Sequence, residues 1–334
     1  MRNQFGSIAI LSLVLACFPL QLVVSEGGWA QVKIDRKAEA DKLLEQGNRQ
    51  YEDVQFREAL QSFEIASEIY NEIEDLNGRS NAFNNLGEAY RKLGLYQRAI
   101  EYSQQSLSIF RYIKDLSGEG NVLNSLAKTY QSLGEYQKAI DYSKQALAIF
   151  IQIKDRQGEG NSLNNLGVVY QSLGQYQKAI DYSKQALAIS IQIKDRQGEL
   201  AALNNLGSAN NSQKKYREAI DYSKQASAIA EKRGNRIGEA TAKFNWAYAL
   251  EQLGQIQEAN PLTDASIANR KLTRSRPQQV YALGNLGSSY ARRGDYYKAI
   301  EFYQRSLVIS KQINDRNGEA YALSNLGNLF SEQK

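Results

Sequence analysis

Three ladders of asparagine are the residues in this chain best suited to bind something. One runs through Asn85, Asn165, Asn205, Asn245, Asn285 and Asn325, with Ser125 the one departure. A second runs beside it through Asn84, Asn124, Asn164 and Asn204, and a third through Asn81, Asn121 and Asn161. A carboxamide carries both donors and an acceptor, so a column of them can hydrogen-bond the backbone of an extended peptide without demanding particular side chains. The competing use of the same groups is structural: they bond neighbouring helices or face water. Asn is a middling helix former that costs on the order of a few tenths of a kcal/mol at each use, which favours binding. Against that, duplicated repeats inherit Asn without fresh selection.

Catalytic chemistry is poorly provided for. The chain contains no His, which removes the commonest general base, proton shuttle and metal ligand. Its one cysteine, Cys17, lies in an apolar N-terminal stretch, so the remainder forms no disulfide and holds no thiolate nucleophile. No enzyme, cofactor or metal site is expected. The net charge is +5, but Lys and Arg alternate with Asp and Glu instead of collecting in runs, so no nucleic-acid surface is indicated.

The elements that position the asparagines follow from a 40-residue repeat. Leu86-Gly87, Leu126-Ala127, Leu166-Gly167, Leu206-Gly207, Trp246-Ala247, Leu286-Gly287 and Leu326-Gly327 share one phase, and Ala59, Ala99, Ala139, Ala179, Ala219, Ala259 and Ala299 keep step with it. Residues 131–159 and 171–199 differ only at Glu135 against Gln175 and Phe150 against Ser190. Within a unit, Ala82, Phe83, Leu86, Ala89, Tyr90 and Leu93 recur at helical spacing and predict a first helix with one packed face. Gly94 closes it, and Tyr96, Ala99, Ile100, Tyr102, Leu107 and Phe110 predict a second. Asp115, Asp155, Asp195 and Asp315 stand before each new first helix, where a carboxylate accepts backbone N–H bonds. Small Gly87 and Ala99 mark a close helix crossing, and Tyr90 and Tyr96 are expected to fill the space between units. Asp141 with Lys144, Asp181 with Lys184 and Asp221 with Lys224 read as intrahelical ion pairs on the second helices. The face opposite the packed one carries Asn81, Asn85, Glu88 and Lys92.

Leu-Gly-x-x-Tyr followed by Gly-x-Tyr-x-x-Ala, here Leu86 to Ala99 and its copies, resembles the tetratricopeptide signature. The period exceeds the usual one of about 34 residues and is similar to the long-helix arrays of kinesin light chains and Leu-Gly-Asn-rich regulators. The resemblance, over about residues 40–334, implies an all-α right-handed superhelix: seven antiparallel hairpins and a lone eighth first helix within residues 31–334. It further implies that the polar stripe lines the concave surface and that the Asn at the motif position hold an extended peptide. Exported bacterial arrays of this kind often precede a caspase-like protease domain, so a regulatory arm of a separately encoded or lost effector is the alternative function.

Both ends add expectations. Residues 1–30 read as a secretory signal peptide, with Arg2, an apolar run from Ile8 to Val24 and small residues at Gly28-Trp29-Ala30. Export to the periplasm or beyond follows; the alternative is an uncleaved membrane anchor, and a lipoprotein reading at Cys17 is disfavoured because the apolar run continues past it. Pro261 falls early in the sixth unit's second helix, and Arg274-Ser275-Arg276-Pro277 replaces the usual link. That stretch predicts a bend, or else a dock for an acidic partner. Leu326 and Phe330 lie on the last helix with no second helix after them, which makes a second copy of the chain the other candidate partner.

Overall fold

A computed structural model describes residues 26–271, 280, 283–284, 287–288, 290–292, 294–313 and 315–332. The first helices of the hairpins are α1 (Glu26–Glu52), α3 (Leu76–Lys92), α5 (Leu116–Ser132), α7 (Arg156–Ser172), α9 (Arg196–Ser212) and α11 (Arg236–Gln252). The second helices are α2 (Phe56–Glu72), α4 (Tyr96–Ile113), α6 (Tyr136–Gln152), α8 (Tyr176–Gln192), α10 (Tyr216–Lys232) and α12 (Ile256–Lys271). Two more follow, α13 (Tyr296–Gln312) and α14 (Arg316–Glu332). Among the described residues there is no strand. Two 17-residue helices and their three-residue links account for the 40-residue period. The apolar run Ile8 to Val24 and the link Arg274 to Pro277 lie outside the described residues. Gly28 to Ala30 fall within α1.

The helix starts follow the sequence expectation. Asp115 accepts from the Gly118 amide at 3.0 Å, Asp155 from Gln157 and Gly158 at 3.0 and 2.9 Å, Asp195 from Gln197 at 3.0 Å and Asp315 from Gly318 at 3.0 Å. Asp75 and Asn235 do the same for α3 and α11. These bonds satisfy amides that a helix start leaves without partners.

The helix ends hold a surprise. Gly94 closes α3 in the left-handed conformation, φ 78°, while Leu95 N–H returns to the Tyr90 carbonyl at 2.9 Å. The second helices close by the same geometry with lysine in the left-handed place: Lys114 at φ 60°, Lys154 at 58° and Lys194 at 59°. Lys214, at φ 62°, occupies the column that is glycine in Gly94, Gly134, Gly174, Gly254 and Gly294.

Packing between units rests on aromatic side chains laid against glycine. Phe150 of α6 is fully buried; a Cβ on Gly120 of α5 would lie 2.7 Å from its ring, and one on Gly158 of α7 would overlap it. Within a hairpin the crossing is set by Gly87, where a Cβ would meet the Ser103 hydroxyl at 2.5 Å and the Ala99 carbonyl at 3.1 Å. Tyr90 differs from expectation. Its ring stacks on Tyr102 of the same hairpin, centroids 5.4 Å apart, and only its hydroxyl reaches the previous unit, donating to Glu64 at 3.2 Å. Tyr130 on Tyr142 and Tyr170 on Tyr182 repeat the stack.

The expected Asp–Lys pairs of the second helices do not form among the described residues. Asp141 and Asp181 accept instead from Gln137 and Gln177, one turn earlier, at 2.9 Å, and Lys224 lies over the Trp246 ring. A carboxamide four residues back reaches the carboxylate more easily than an ammonium three residues on, which keeps its hydration. Pro261 lies inside α12, where it removes one ladder bond. On α14, Leu326 is buried while Leu323 and Phe330 are half exposed.

One contact joins distant units: Asn317 at the start of α14 donates to the Ser132 carbonyl at the end of α5, at 3.3 Å. Asp315 beside it adds its charge to the burial that pushes the Tyr96 phenol up. The array thus returns on itself after five units.

Two stability changes follow. Phe150→Ser, which copies the residue at Ser190, should lower unfolding free energy by about 3–5 kcal/mol. Lys214→Gly should raise it by on the order of 1 kcal/mol by relieving a left-handed side chain. Urea unfolding followed by far-ultraviolet circular dichroism measures both.

Candidate functional site

Each first helix from α1 to α11 packs on the first helix of the next unit, whereas consecutive second helices make no comparable contact. The first helices therefore crowd the inner side of the curve, and their polar stripe faces the concave surface.

The asparagine ladders lie on that side and are largely engaged with one another. Asn85 Nδ2 donates to Asn48 Oδ1 at 2.9 Å, Asn165 to Asn124 Oδ1 at 3.0 Å, and Asn205 to Asn164 Oδ1 at 3.3 Å. Asn245 donates to the Asn204 carbonyl at 3.2 Å. Each bond ties a first helix to the one before it. The second ladder points the other way along the array: Asn124 donates to Ser162 Oγ at 3.0 Å and Asn204 to the Gly238 carbonyl at 3.3 Å. Asn84 is half-buried and its Oδ1 accepts nothing. In the third ladder Asn81, Asn121 and Asn161 are exposed, and Asn81 donates to Asn77 one turn earlier. Asn325 sits on α14 with a buried Nδ2 that donates to nothing among the described residues. Asn285 lies outside the described residues.

Three ladder members also wall a cavity of about 410 Å³, within the size range of ligand sites. Val168, Gln171 and Ser172 of α7, Asn204, Asn205 and Ser208 of α9, and Thr241 and Asn245 of α11 line it, with Tyr176 at its edge. Gln171 donates to Ser208 across the α7–α9 boundary. The walls carry amides and hydroxyls and no charge.

The concave surface is different two units earlier. Glu88 and Arg91 of α3 form an ion pair at 2.6 Å with side chains only 17% and 15% exposed, and the Tyr51 hydroxyl of α1 reaches Glu88 at 3.4 Å. Burial alone would raise the Glu88 carboxyl, but the charges of Arg91 and Lys128 outweigh it and hold the group at about 2. Lys92 is pushed down to about 8, by burial first and then by Arg91 and Lys128, with Glu88 opposing. Arg91 Nε and Glu88 Oε1 are buried without a partner.

Of these residues, Glu88 and Lys92 were legible as members of a polar stripe, but the grouping with Arg91 and Lys128 and the part played by Gln171 and Ser208 were not. A signal existed. The column Glu88, Lys128, Val168, Ser208, Tyr248 and Ser288 changes at almost every repeat, beside the Leu-Gly and Asn columns that are nearly constant.

Comparison with known proteins now fixes the family. A family model described as tetratricopeptide repeat matches residues 54–111, 118–192, 198–271 and 278–334. The chain belongs to the tetratricopeptide repeat family. Among solved structures of this fold, apo RapI superposes with a TM-score of 0.66 at 19% identity, covering 83% of this chain and 99% of its own. A Rap protein complexed with Competence and Sporulation Factor gives 0.60 at 16%, covering 91% and 98%. The Rap conjugation gene regulator of plasmid pLS20, in complex with the Phr* peptide, gives 0.71 at 16%, covering 88% and 79%. No curated protein matches the sequence significantly. The resemblance drawn from the Leu-Gly-x-x-Tyr phrase therefore holds, as does the solenoid of antiparallel tetratricopeptide hairpins. Among the described residues no cluster of His, Cys, Asp and Glu suits a metal ion, and no helix is long and apolar enough to cross a membrane.

Lys92 gives a pH-dependent test. Its folded pKa of about 8 lies below the ordinary 10.5, so folding weakens proton binding. The resulting cost is fully present below pH 8 and is relieved as pH rises from 8 through 10.5. Lys92→Met should therefore stabilise the fold at pH 7 by on the order of 1 kcal/mol. That gain should shrink towards zero near pH 10, as read by urea unfolding at the two pH values.

Proposed function

We propose that this chain is a non-catalytic scaffold, exported by its N-terminal segment, that holds an extended segment of another protein on its concave face. The observation that carries the reading is the uncharged cavity on α7, α9 and α11, where three successive units present amides and hydroxyls side by side. Groups of that kind match the alternating N–H and C=O of an extended backbone and place little demand on its side chains. A rigid, pre-formed surface of stacked hairpins spares the binding event the cost of ordering the receptor. Two neighbours of the same fold are complexes, one with Competence and Sporulation Factor and one with the Phr* peptide, which is consistent with a peptide ligand here.

The Asn ladder itself enters this reading in a reduced form. Asn165, Asn205 and Asn245 hold neighbouring helices, so replacing all of them by Ala would loosen the array as well as empty the groove. Each such bond is worth about 0.5–1.5 kcal/mol. Val168 and Ser172 offer a cleaner probe, because both face the cavity and neither side chain bonds another unit.

The test is selection of a displayed random-peptide library on the immobilised full chain. Affinities of the enriched peptides are then measured by fluorescence anisotropy on the native chain and on Val168→Arg/Ser172→Arg. Enriched peptides should bind the variant at least tenfold more weakly, about 1.4 kcal/mol, at unchanged helicity and thermal midpoint. Failure to enrich any peptide, or peptides that bind both proteins equally, would overturn the reading.

A further inference from the structure

The return of the array on itself hangs on one amide. Asn317 Nδ2 donates to the Ser132 carbonyl at 3.3 Å. The same helix start faces Tyr96 of α4, whose phenol is pushed up by burial and then by the Asp315 charge. Asn317 is exposed, and the residue after it is Gly318. The chain has two Asn-Gly pairs, Asn77-Gly78 and Asn317-Gly318, whereas other units carry Ser117, Gln157, Gln197 and Ile237 in this column. A glutamine there would offer the seam the same carboxamide. Asparagine before glycine has a reactivity that glutamine lacks. Its Cγ can close a five-membered ring with the following backbone nitrogen, and glycine leaves the backbone free to reach the geometry of attack.

We propose that Asn317 is a site of self-modification that opens the array: loss of its amide through Gly318 replaces the donor at the seam by an acceptor. The Gly318 nitrogen bonds to Asn317 Cγ, and the Cγ–Nδ2 bond breaks. Nδ2 leaves as ammonia, taking up the proton that the Gly318 amide gives up, and a cyclic imide remains. Water then adds to one of the two imide carbonyls. Addition at Cγ gives aspartate; addition at the main-chain carbonyl gives isoaspartate, with the backbone rerouted through the side chain. Nothing is oxidised or reduced, and water is the only co-reactant. In either product the carboxamide gives way to a free carboxylate, which accepts hydrogen bonds and donates none. Oxygen then faces the Ser132 oxygen, next to the charge of Asp315. The change runs one way, so it converts a closed array to an open one once in the life of a chain.

The two Asn-Gly pairs are not equally guarded. In both, an aspartate cap holds the glycine amide, Gly78 to Asp75 at 2.9 Å and Gly318 to Asp315 at 3.0 Å. The nitrogen therefore reaches Cγ only when that first turn frays. At α3 the start is braced: Asp75 pairs with Lys37 of α1, the Tyr70 ring lies against Gly78, and Asn77 accepts from Asn81 at 2.8 Å. At α14, Gly318 packs on Val280, but no cation pairs with Asp315 among the described residues. The residue at the seam is the less protected of the two.

The test is prolonged incubation of the full chain in neutral buffer. Conversion at each Asn is followed by peptide mass spectrometry, and the converted protein, separated by ion exchange, is compared with fresh chain by small-angle X-ray scattering. Asn317 should convert about tenfold faster than Asn77, as a helix start that frays about 1.4 kcal/mol more readily requires. The converted protein and fresh Asn317→Asp should share a larger maximum dimension than the native chain, at unchanged helicity. Asn317→Gln, which keeps the amide and blocks the ring closure, should hold the native dimension throughout. Asn77→Asp, which adds the same charge away from the seam, should hold it too. The proposal is overturned if Asn317 converts no faster than Asn77, if the converted protein or Asn317→Asp keeps the native dimension, or if either control opens as they do.

Discussion

A hairpin of two 17-residue helices, each about 25 Å long, cannot cover its own apolar face, and that shortfall governs the rest of the molecule. What the hairpin leaves bare must be covered by the next, and the cover has to arrive at close range. Glycine is what permits the range. Phe150 fits between α5 and α7 because neither Gly120 nor Gly158 carries a side chain there. The hairpin crossing at Gly87 admits the Ser103 hydroxyl for the same reason. Ser106 and Ser266 lie deep in their crossings and donate to first-helix carbonyls at 2.8 Å, whereas the buried hydroxyls of Ser103, Ser143, Ser183 and Ser223 find no partner among the described residues. The concave surface is a by-product of this packing: first helices pack on one another, second helices do not, and the stack must curve.

The parts of this arrangement that depend on a single helix were legible in the sequence. Period, packed faces, aspartate caps and glycine stops each involve residues a few positions apart, and the structure has them where the spacing puts them. What was not legible depends on partners in other units. Whether Asn165 reaches a peptide or Asn124 cannot be read from its own helix, since both lie on the same side, and only the separation of α5 and α7 decides it. Lys114, Lys154 and Lys194 gave no sign that they close helices, because lysine is an ordinary helix former and its left-handed backbone is imposed by the turn. The Asp141–Lys144 expectation failed on a local competition, with Gln137 one turn back holding the carboxylate.

The candidate site shows the same division. Its asparagines come from columns that the repeat keeps, whereas Glu88, Lys128, Val168 and Ser208 stand in one column that the repeat changes. A near-copied array presents the same surface over and over, which suits a backbone but cannot set a direction or a starting point. Substituting one concave column, Glu88 and Lys128 against Val168 and Ser208, breaks that monotony, and in that column Glu88 meets Tyr51 and Ser208 meets Gln171 across unit boundaries.

The contact of Asn317 with Ser132 makes the number of units an integer that the shape can read. The near identity of residues 131–159 and 171–199 records a duplication of one whole unit, the simplest way for such a gene to grow or shrink. In an open rod, one unit more or less changes only the length. Here it changes which residues meet at the seam: without one unit between them, the asparagine arrives short of the Ser132 carbonyl, and with one more it overshoots. Copy number in this array is therefore a discrete structural variable, held by the return of the last helix to the third hairpin.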